Sequence, residues 1–342
     1  MPAAGSDDAI MRVEACGVCG SDPGIYSRPH VPPAVLGHEV VGEIVRIGEA
    51  ASRRWRLVPG DRVAIEEYVP DWCCEWCMRG EFRLCEAAQI SAPGAIRLGM
   101  AKTTQAPGLW GGFAEYMYLH PNSVLHKLSP EMPSHLAALA VPLSNGVQWA
   151  VTDGDAGAGK SVLVMGPGQQ GIGAALASKC AGADLVILSG LGQDARRLEV
   201  GRMLGADVTV DVEADDLRER VMDLTRGRGV DTVVDTTGDT SGQVAATALA
   251  LAARGGTVIL NGKGSIPFNI AEFKKKYLTM RPVRGHSWHS IERALQIVAS
   301  GRWPLEEMCS HHYGLAEVDT AIRATKGDGF PDAIHVNVNP WL

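Results

Sequence analysis

Short apolar runs broken by glycine and proline fill the first 150 residues, and beyond residue 160 strand-length apolar runs alternate with longer helical stretches. The first pattern, with runs over 40–47 and 62–65, predicts an irregular, mostly β module. The second predicts strands over 161–165, 184–188, 208–212, 230–235 and 257–261, interleaved with helices over 171–181, 195–204, 215–225 and 243–253. Such alternation implies a parallel sheet wrapped by helices, because parallel strands need crossover connections. A helix over 290–299 and a strand over 334–338 complete the pattern. There is no internal repeat and no low-complexity tract.

At roughly 150 residues per domain, the 342 residues suggest two domains. Hydrophobic residues at 46% and charged residues at 21% describe a globular chain able to bury a core without staples. Lys and Arg total 32 against 39 Asp and Glu, a net charge of -7, and the densest basic run is Lys274-Lys275-Lys276. This balance argues against nucleic acid or an anionic membrane as the main partner. The first eight residues carry no apolar signal segment, and no apolar stretch is long enough to span a bilayer. The expected location is therefore the cytoplasm. In a reducing compartment the eight cysteines, four of them within 73–85, read as metal ligands before disulfides.

Gly166-Pro167-Gly168-Gln169-Gln170-Gly171 fits G-x-G-x-x-G between a predicted strand and a predicted helix, the context in which the motif binds a dinucleotide. The first glycine allows a tight turn, the second lets backbone approach the pyrophosphate, and the third lets helix and strand pack closely. About 20 residues on, an acidic residue is expected at a strand tip to hold the ribose hydroxyls. Here that tip reads Ser189-Gly190-Leu191-Gly192, with Asp194 slightly late and Arg196 and Arg197 following. Ser189, Gly190, Arg196 and Arg197 are therefore placed at the ribose, and the arginines tilt the expectation from NAD toward NADP.

Cys19, His38 and Glu39 offer a thiolate, an imidazole and a carboxylate, each a zinc ligand. A zinc with an open position acidifies an alcohol and prepares its carbon to give up hydride. Ser21 offers a hydroxyl for proton relay, and Asp22 a carboxylate to orient His38 from behind.

Together these motifs resemble the zinc alcohol dehydrogenase branch of the medium-chain dehydrogenase/reductase superfamily. The matching stretches are Gly17-Val18-Cys19-Gly20-Ser21-Asp22, Gly37-His38-Glu39-Val40-Val41-Gly42, Pro59-Gly60-Asp61-Arg62-Val63, Gly111-Gly112-Phe113-Ala114-Glu115-Tyr116 and the glycine loop, in family order along nearly the whole chain. The resemblance implies an α/β protein: a GroES-like, mostly-β catalytic domain over 1–145 and 288–342, and a Rossmann doubly wound parallel-sheet domain over 146–287. It implies two zinc ions per chain. The catalytic ion takes Cys19, His38 and Glu39, with Ser21 as the proton relay. The structural ion takes Asp71, Cys74, Cys77 and Cys85, with Asp71 where the family usually has cysteine and Cys73 as its competitor. It also implies a small-molecule alcohol or carbonyl partner and a homo-oligomer, dimer or tetramer, with the strand over 257–261 as a candidate interface.

The chain departs from the family at three points. Val141 stands where many relatives carry a further ligand, which leaves the polyol-dehydrogenase version of the site. Gly24 replaces the relay histidine. The N-terminal strand pair is shortened. A secondary, cyclic or polyol alcohol is the expected substrate class. Trp110 and the segment Gly285-His286-Ser287-Trp288-His289 are candidates for the site's borders or for plain packing. A carbonyl reductase running the reverse reaction, and a non-catalytic binding protein of the same fold, are the competing readings.

Overall fold

Mostly antiparallel pairing in one part of the chain and wholly parallel pairing in another separate two bodies in this computed structural model, which describes residues 4–28, 33–262, 264–265 and 269–342. One unit takes residues 1–141 with 287–342, and the other takes residues 142–286.

In chain order the first unit supplies β1 (Ala9–Gly17), β2 (Glu39–Ile47), β3 (Arg62–Ile65), β4 (Tyr116–Leu119) and β5 (Leu125–Lys127). The second supplies β6 (Ser161–Met165), β7 (Leu185–Gly190), β8 (Val208–Asp211), β9 (Val230–Asp235), β10 (Ala252–Leu260) and β11 (Thr279–Pro282). The chain then returns to the first unit with β12 (Cys309–Tyr313) and β13 (His335–Val338).

The first unit's sheet runs β12-β13-β1-β2-β3-β5, with β4 also on β1. Register shifts at Ile10/Met11 and Val13/Ala15 bend β1. Its first half pairs with β4, and its end, at Cys16 and Gly17, pairs with β13. The core gathers Met11, Val13, Ile44, Val63, Ile65, Met117 and Leu119. Trp110 belongs to this core: it is 2% exposed, donates Nε1–H to the Gln105 carbonyl at 2.8 Å and meets Tyr118 edge-on. It is a packing residue of this core.

The second unit's sheet runs β8-β7-β6-β9-β10-β11, parallel throughout. Valine- and isoleucine-rich strands suit it, because helices cover both faces. The connections reverse direction at β6, and ligands bind doubly wound sheets beyond the carboxyl ends of strands at such a switch point. Two elements differ from expectation. The helix Gln243–Leu251 stops early because Ala252 already pairs with Val230. β10 therefore starts five residues before the predicted strand, running through the Gly255-Gly256 pair. Residues Val147–Asp153 form a π-helix that periodicity does not reveal.

β10 lies inside the sheet, between β9 and β11, with Val258 and Ile259 wholly buried. It cannot serve as an interface strand; the edge is β11, whose side chains are exposed. Among the described residues no helix is long and apolar enough to cross a membrane.

Candidate metal and dinucleotide sites

Where β1 ends, Val18 still donates its N–H to Val336 of β13, and Cys19 follows at the mouth of a tight turn. Pro23 opens the short helix Asp22–Tyr26. Asp22, fully buried, turns back so that its Oδ2 accepts the Cys19 N–H at 2.9 Å. Its Oδ1 faces His38 Nδ1 at 3.5 Å. His38 and Glu39 sit at the start of β2, and only a glycine fits beside them: a Cβ on Gly17 would stand 2.5 Å from Glu39 Oε2. Gly37 has φ +90°, a left-handed conformation that turns the chain into His38.

The ligand atoms of Cys19, His38 and Glu39 lie within 4.8 Å of one another. With Asp22 behind Nδ1, Nε2 is the nitrogen left for a metal. Burial pushes the Cys19 thiol up to about 11, with the Asp22 charge adding to it, and hydrogen bonds from Ser21 offset this only in part. Burial likewise raises Glu39 well above the usual carboxylate range. For His38, burial lowers the pKa, but the charges of Asp22, Glu67 and Glu39 outweigh it and the net shift is upward. A half-buried thiol beside a buried imidazole and carboxylate, held this close, is a donor set that a divalent cation satisfies, releasing the protons that desolvation retains. The set fits zinc in ligand type and number, with one position left open.

Sequence reasoning missed Glu67 and Arg97. They form a 2.7 Å ion pair, and the Arg97 guanidinium also covers the Tyr68 ring at 3.9 Å. Two residues on, Gly99 packs on the Gly37 carbonyl and on His38 Cβ. The available signal was register: Val40 pairs with Ile65, and continuing that ladder by two residues brings Glu67 opposite His38.

The second cluster joins Asp71, Cys74, Cys77 and Cys85, again within 4.8 Å of one another. Asp71 Oδ1 accepts the N–H groups of Cys73 at 2.9 Å and Cys74 at 3.0 Å, and those bonds hold its carboxyl well below the usual range. Cys74 Sγ and Cys77 Sγ are 3.5 Å apart. Cys73 points outward and is exposed, so Asp71 and not Cys73 enters the cluster. Gly80, at φ +74°, closes the lobe, and its carbonyl accepts the N–H of Trp288, whose ring packs on His126. Trp288 thus braces this lobe.

In the second unit Gly166, at φ +96°, makes the turn out of β6. A Cβ on Gly171 would stand 1.9 Å from the Gly166 carbonyl oxygen, whereas nothing lies within 4 Å of one on Gly168. Gly168 is the N-cap of the helix Gln169–Cys180, so an open backbone face meets a helix N-terminus, which suits a pyrophosphate.

At the next strand tip the side chains are differently engaged than the sequence suggests. Ser189 is buried, with its hydroxyl 3.5 Å from the Val164 carbonyl inside the sheet. Gly190 packs against Pro167 of the glycine loop. Arg197 pairs with Asp194 at 2.9 Å and Arg196 with Glu199 at 2.7 Å. The guanidinium groups that tilt the sequence toward NADP are thus both met by carboxylates of their own helix. His286 is buried, with Nδ1 2.9 Å from Asn145 Oδ1.

Residues 5–130 match the alcohol dehydrogenase GroES-like domain family, and residues 171–300 match the zinc-binding dehydrogenase family. A probable alcohol dehydrogenase of Mycobacterium tuberculosis is 37% identical over 99% of this chain and 94% of its own length. An erythritol/L-threitol dehydrogenase of Mycolicibacterium smegmatis is 30% identical over 91% of this chain and 85% of its own. Among solved structures, an alcohol dehydrogenase from Thermus sp. ATN1 superposes with a TM-score of 0.82 at 28% identity, over 98% of this chain and 93% of that one.

Proposed function

Because the chain belongs to the zinc-type alcohol dehydrogenases of the medium-chain dehydrogenase/reductase superfamily, we propose that it oxidises a secondary or polyol alcohol at Cys19, His38 and Glu39. The oxidoreductase activity on CH–OH groups comes with the family; the substrate class and the roles of single residues are our reading. The observation that carries it is the Cys-His-Glu donor set with Val141 where a further ligand would stand. Curated relatives include an erythritol/L-threitol dehydrogenase and sorbitol dehydrogenases, and we extend a polyol substrate class to this chain.

Bound zinc would polarise the substrate oxygen, and a nicotinamide dinucleotide would accept the hydride. Cys19, His38 and Glu39 hold the metal. Asp22 fixes the His38 tautomer and ring. Ser21, whose hydrogen bonds reach the Cys19 thiol, takes the alcohol proton and passes it to water, since Gly24 offers no imidazole. The amide edge at Gly168 receives the pyrophosphate. Asp71, Cys74, Cys77 and Cys85 hold a second zinc that ties the lobe together without taking part in the reaction. The active species is a homo-oligomer.

The test is the absorbance of reduced nicotinamide formed from linear, secondary, cyclic and polyol alcohols by zinc-loaded protein and its Cys19→Ala variant. Turnover of polyols by the first and not the second supports the assignment. Equal turnover by both would remove Cys19 from the chemistry.

A further inference from the structure

We infer that Glu213, in the turn after β8, supplies the acidic group missing from the tip of β7, receives the ribose hydroxyls of the dinucleotide and makes NAD the preferred form. The inference rests on the dinucleotide reading given above, in which β6 and the glycine loop place the pyrophosphate at Gly168.

In doubly wound sheets the adenosine ribose lies over the tip of the strand next to the glycine loop, where an acidic side chain normally takes its hydroxyls. Here the contact of Gly190 with Pro167 joins that tip to the loop. The tip carries Gly190, Leu191 and Gly192, with no carboxylate of its own. The neighbouring strand provides one. Val212 donates its N–H to the Gly190 carbonyl at 2.9 Å, which carries the chain after β8 alongside the tip. Asp211 Oδ1 accepts the Glu213 N–H at 3.0 Å and shapes that turn. Glu213 then reaches across, and its Oε2 accepts the Gly192 N–H at 2.8 Å. One carboxylate oxygen is anchored to the tip backbone, and the other remains to accept from a hydroxyl. Gly192 has room for this approach because it lacks a side chain: a Cβ there would meet Glu213 Oε2 at 3.0 Å and Asp211 Oδ2 at 3.3 Å.

The same geometry disfavours a 2′-phosphate. Asp194 and Glu199 are matched by Arg197 and Arg196. The carboxylates beside Gly192 are those of Glu213 and Asp211, two negative charges at the tip. Both guanidiniums already face a carboxylate. A phosphate would enter a site of its own sign and displace the Glu213 bond to Gly192, whereas ribose hydroxyls donate to that carboxylate. Discrimination therefore comes from a repulsive group as much as from an attractive one.

The experiment is fluorescence titration of zinc-loaded protein with NADH and with NADPH, for wild type, Glu213→Gln and Glu213→Lys. Glu213 is exposed, so neither substitution disturbs the core. A charge-assisted hydrogen bond corresponds to roughly ten- to hundredfold in affinity, so NADH should bind at least about tenfold more tightly than NADPH. Glu213→Gln should narrow the gap chiefly by weakening NADH, and Glu213→Lys should reverse it. Wild-type protein that binds NADPH as tightly as NADH, with Arg196 turning to the phosphate, would overturn the proposal. A ratio unchanged in Glu213→Gln would overturn it as well. Failure of both dinucleotides to bind would overturn it together with the dehydrogenase reading, an outcome distinct from equal binding.

Discussion

Asp22 Oδ1 faces His38 Nδ1 at 3.5 Å, with both side chains almost wholly cut off from water. The same carboxylate holds the Cys19 N–H through Oδ2, so one side chain sets two of the three candidate ligands. Replacing such a supporting partner typically costs about 10–100-fold in metal affinity or activity. Asp22→Asn should keep the bond from Cys19 N–H and lose the acceptor for His38. We expect a drop of that size in zinc retention against a chelator and in kcat/KM, with KM for the dinucleotide unchanged. Retained zinc affinity would show that His38 is oriented by its backbone alone.

Gly168 and Gly171 differ in kind, and substitution should separate them. A Cβ at Gly171 collides with the Gly166 carbonyl, whereas one at Gly168 meets nothing. Gly171→Ala should destabilise the second unit by about 1–3 kcal/mol, the usual cost of overpacking, visible as a lower thermal midpoint. Gly168→Ala should leave that midpoint unchanged and weaken NADH binding by at least about tenfold, or roughly 1.4 kcal/mol, because the methyl group occupies the surface that faces the pyrophosphate. A Gly168→Ala protein that binds NADH normally would move the pyrophosphate elsewhere.

The lobe at 71–85 gives a metal count. Wild-type protein should hold two zinc ions per chain by elemental analysis; Asp71→Ala should fall toward one, and Cys73→Ser should keep two. The reverse result would make the exposed Cys73 thiol the fourth ligand. Loss of this zinc should lower thermal stability, since metal binding at such a site is folding free energy.

His335 gives a pH signature of stability. Burial lowers its pKa to about 3, and an unfolded histidine titrates near 6.5. Between those values the unfolded chain binds the proton and the folded one does not. The contribution is therefore fully present above pH about 6.5 and is lost progressively as pH falls toward 3. The loss amounts to about 1.4 kcal/mol for each pH unit in that window. His335→Asn should flatten the fall in thermal midpoint between pH 6.5 and 5. An unaltered slope would place the acid sensitivity in other groups.

Much of this was legible in the chain itself. β3, β6 and β9 begin and end where the apolar runs do, because short β-branched runs bounded by polar or turn residues suit buried strands. Cys19, His38 and Glu39 were legible because ligand chemistry is written in residue type. What escaped depended on side-chain reach between segments distant in sequence. Glu67 meets Arg97 across 30 residues, and Glu213 reaches Gly192 across 21; no local pattern records either. The predicted strand stops at Leu188 although β7 continues through Ser189 and Gly190, because register with β8 holds Ser189 against Val210 and outweighs the local preference of serine and glycine.

The pairing of Cys16 and Gly17 with Val338 and Asn337 also has a temporal meaning. A chain made from its N-terminus completes every strand of the parallel sheet before β13 exists. The middle unit can therefore fold during synthesis from contacts close in sequence. The strand leading to Cys19 can pair with β2 and β4 early, but its end gains its second neighbour, β13, only from the opposite end of the chain, a closure that spans more than 300 residues. During synthesis the candidate ligand thiols at 19 and 74–85 thus emerge well before the sheet beneath the first of them is complete.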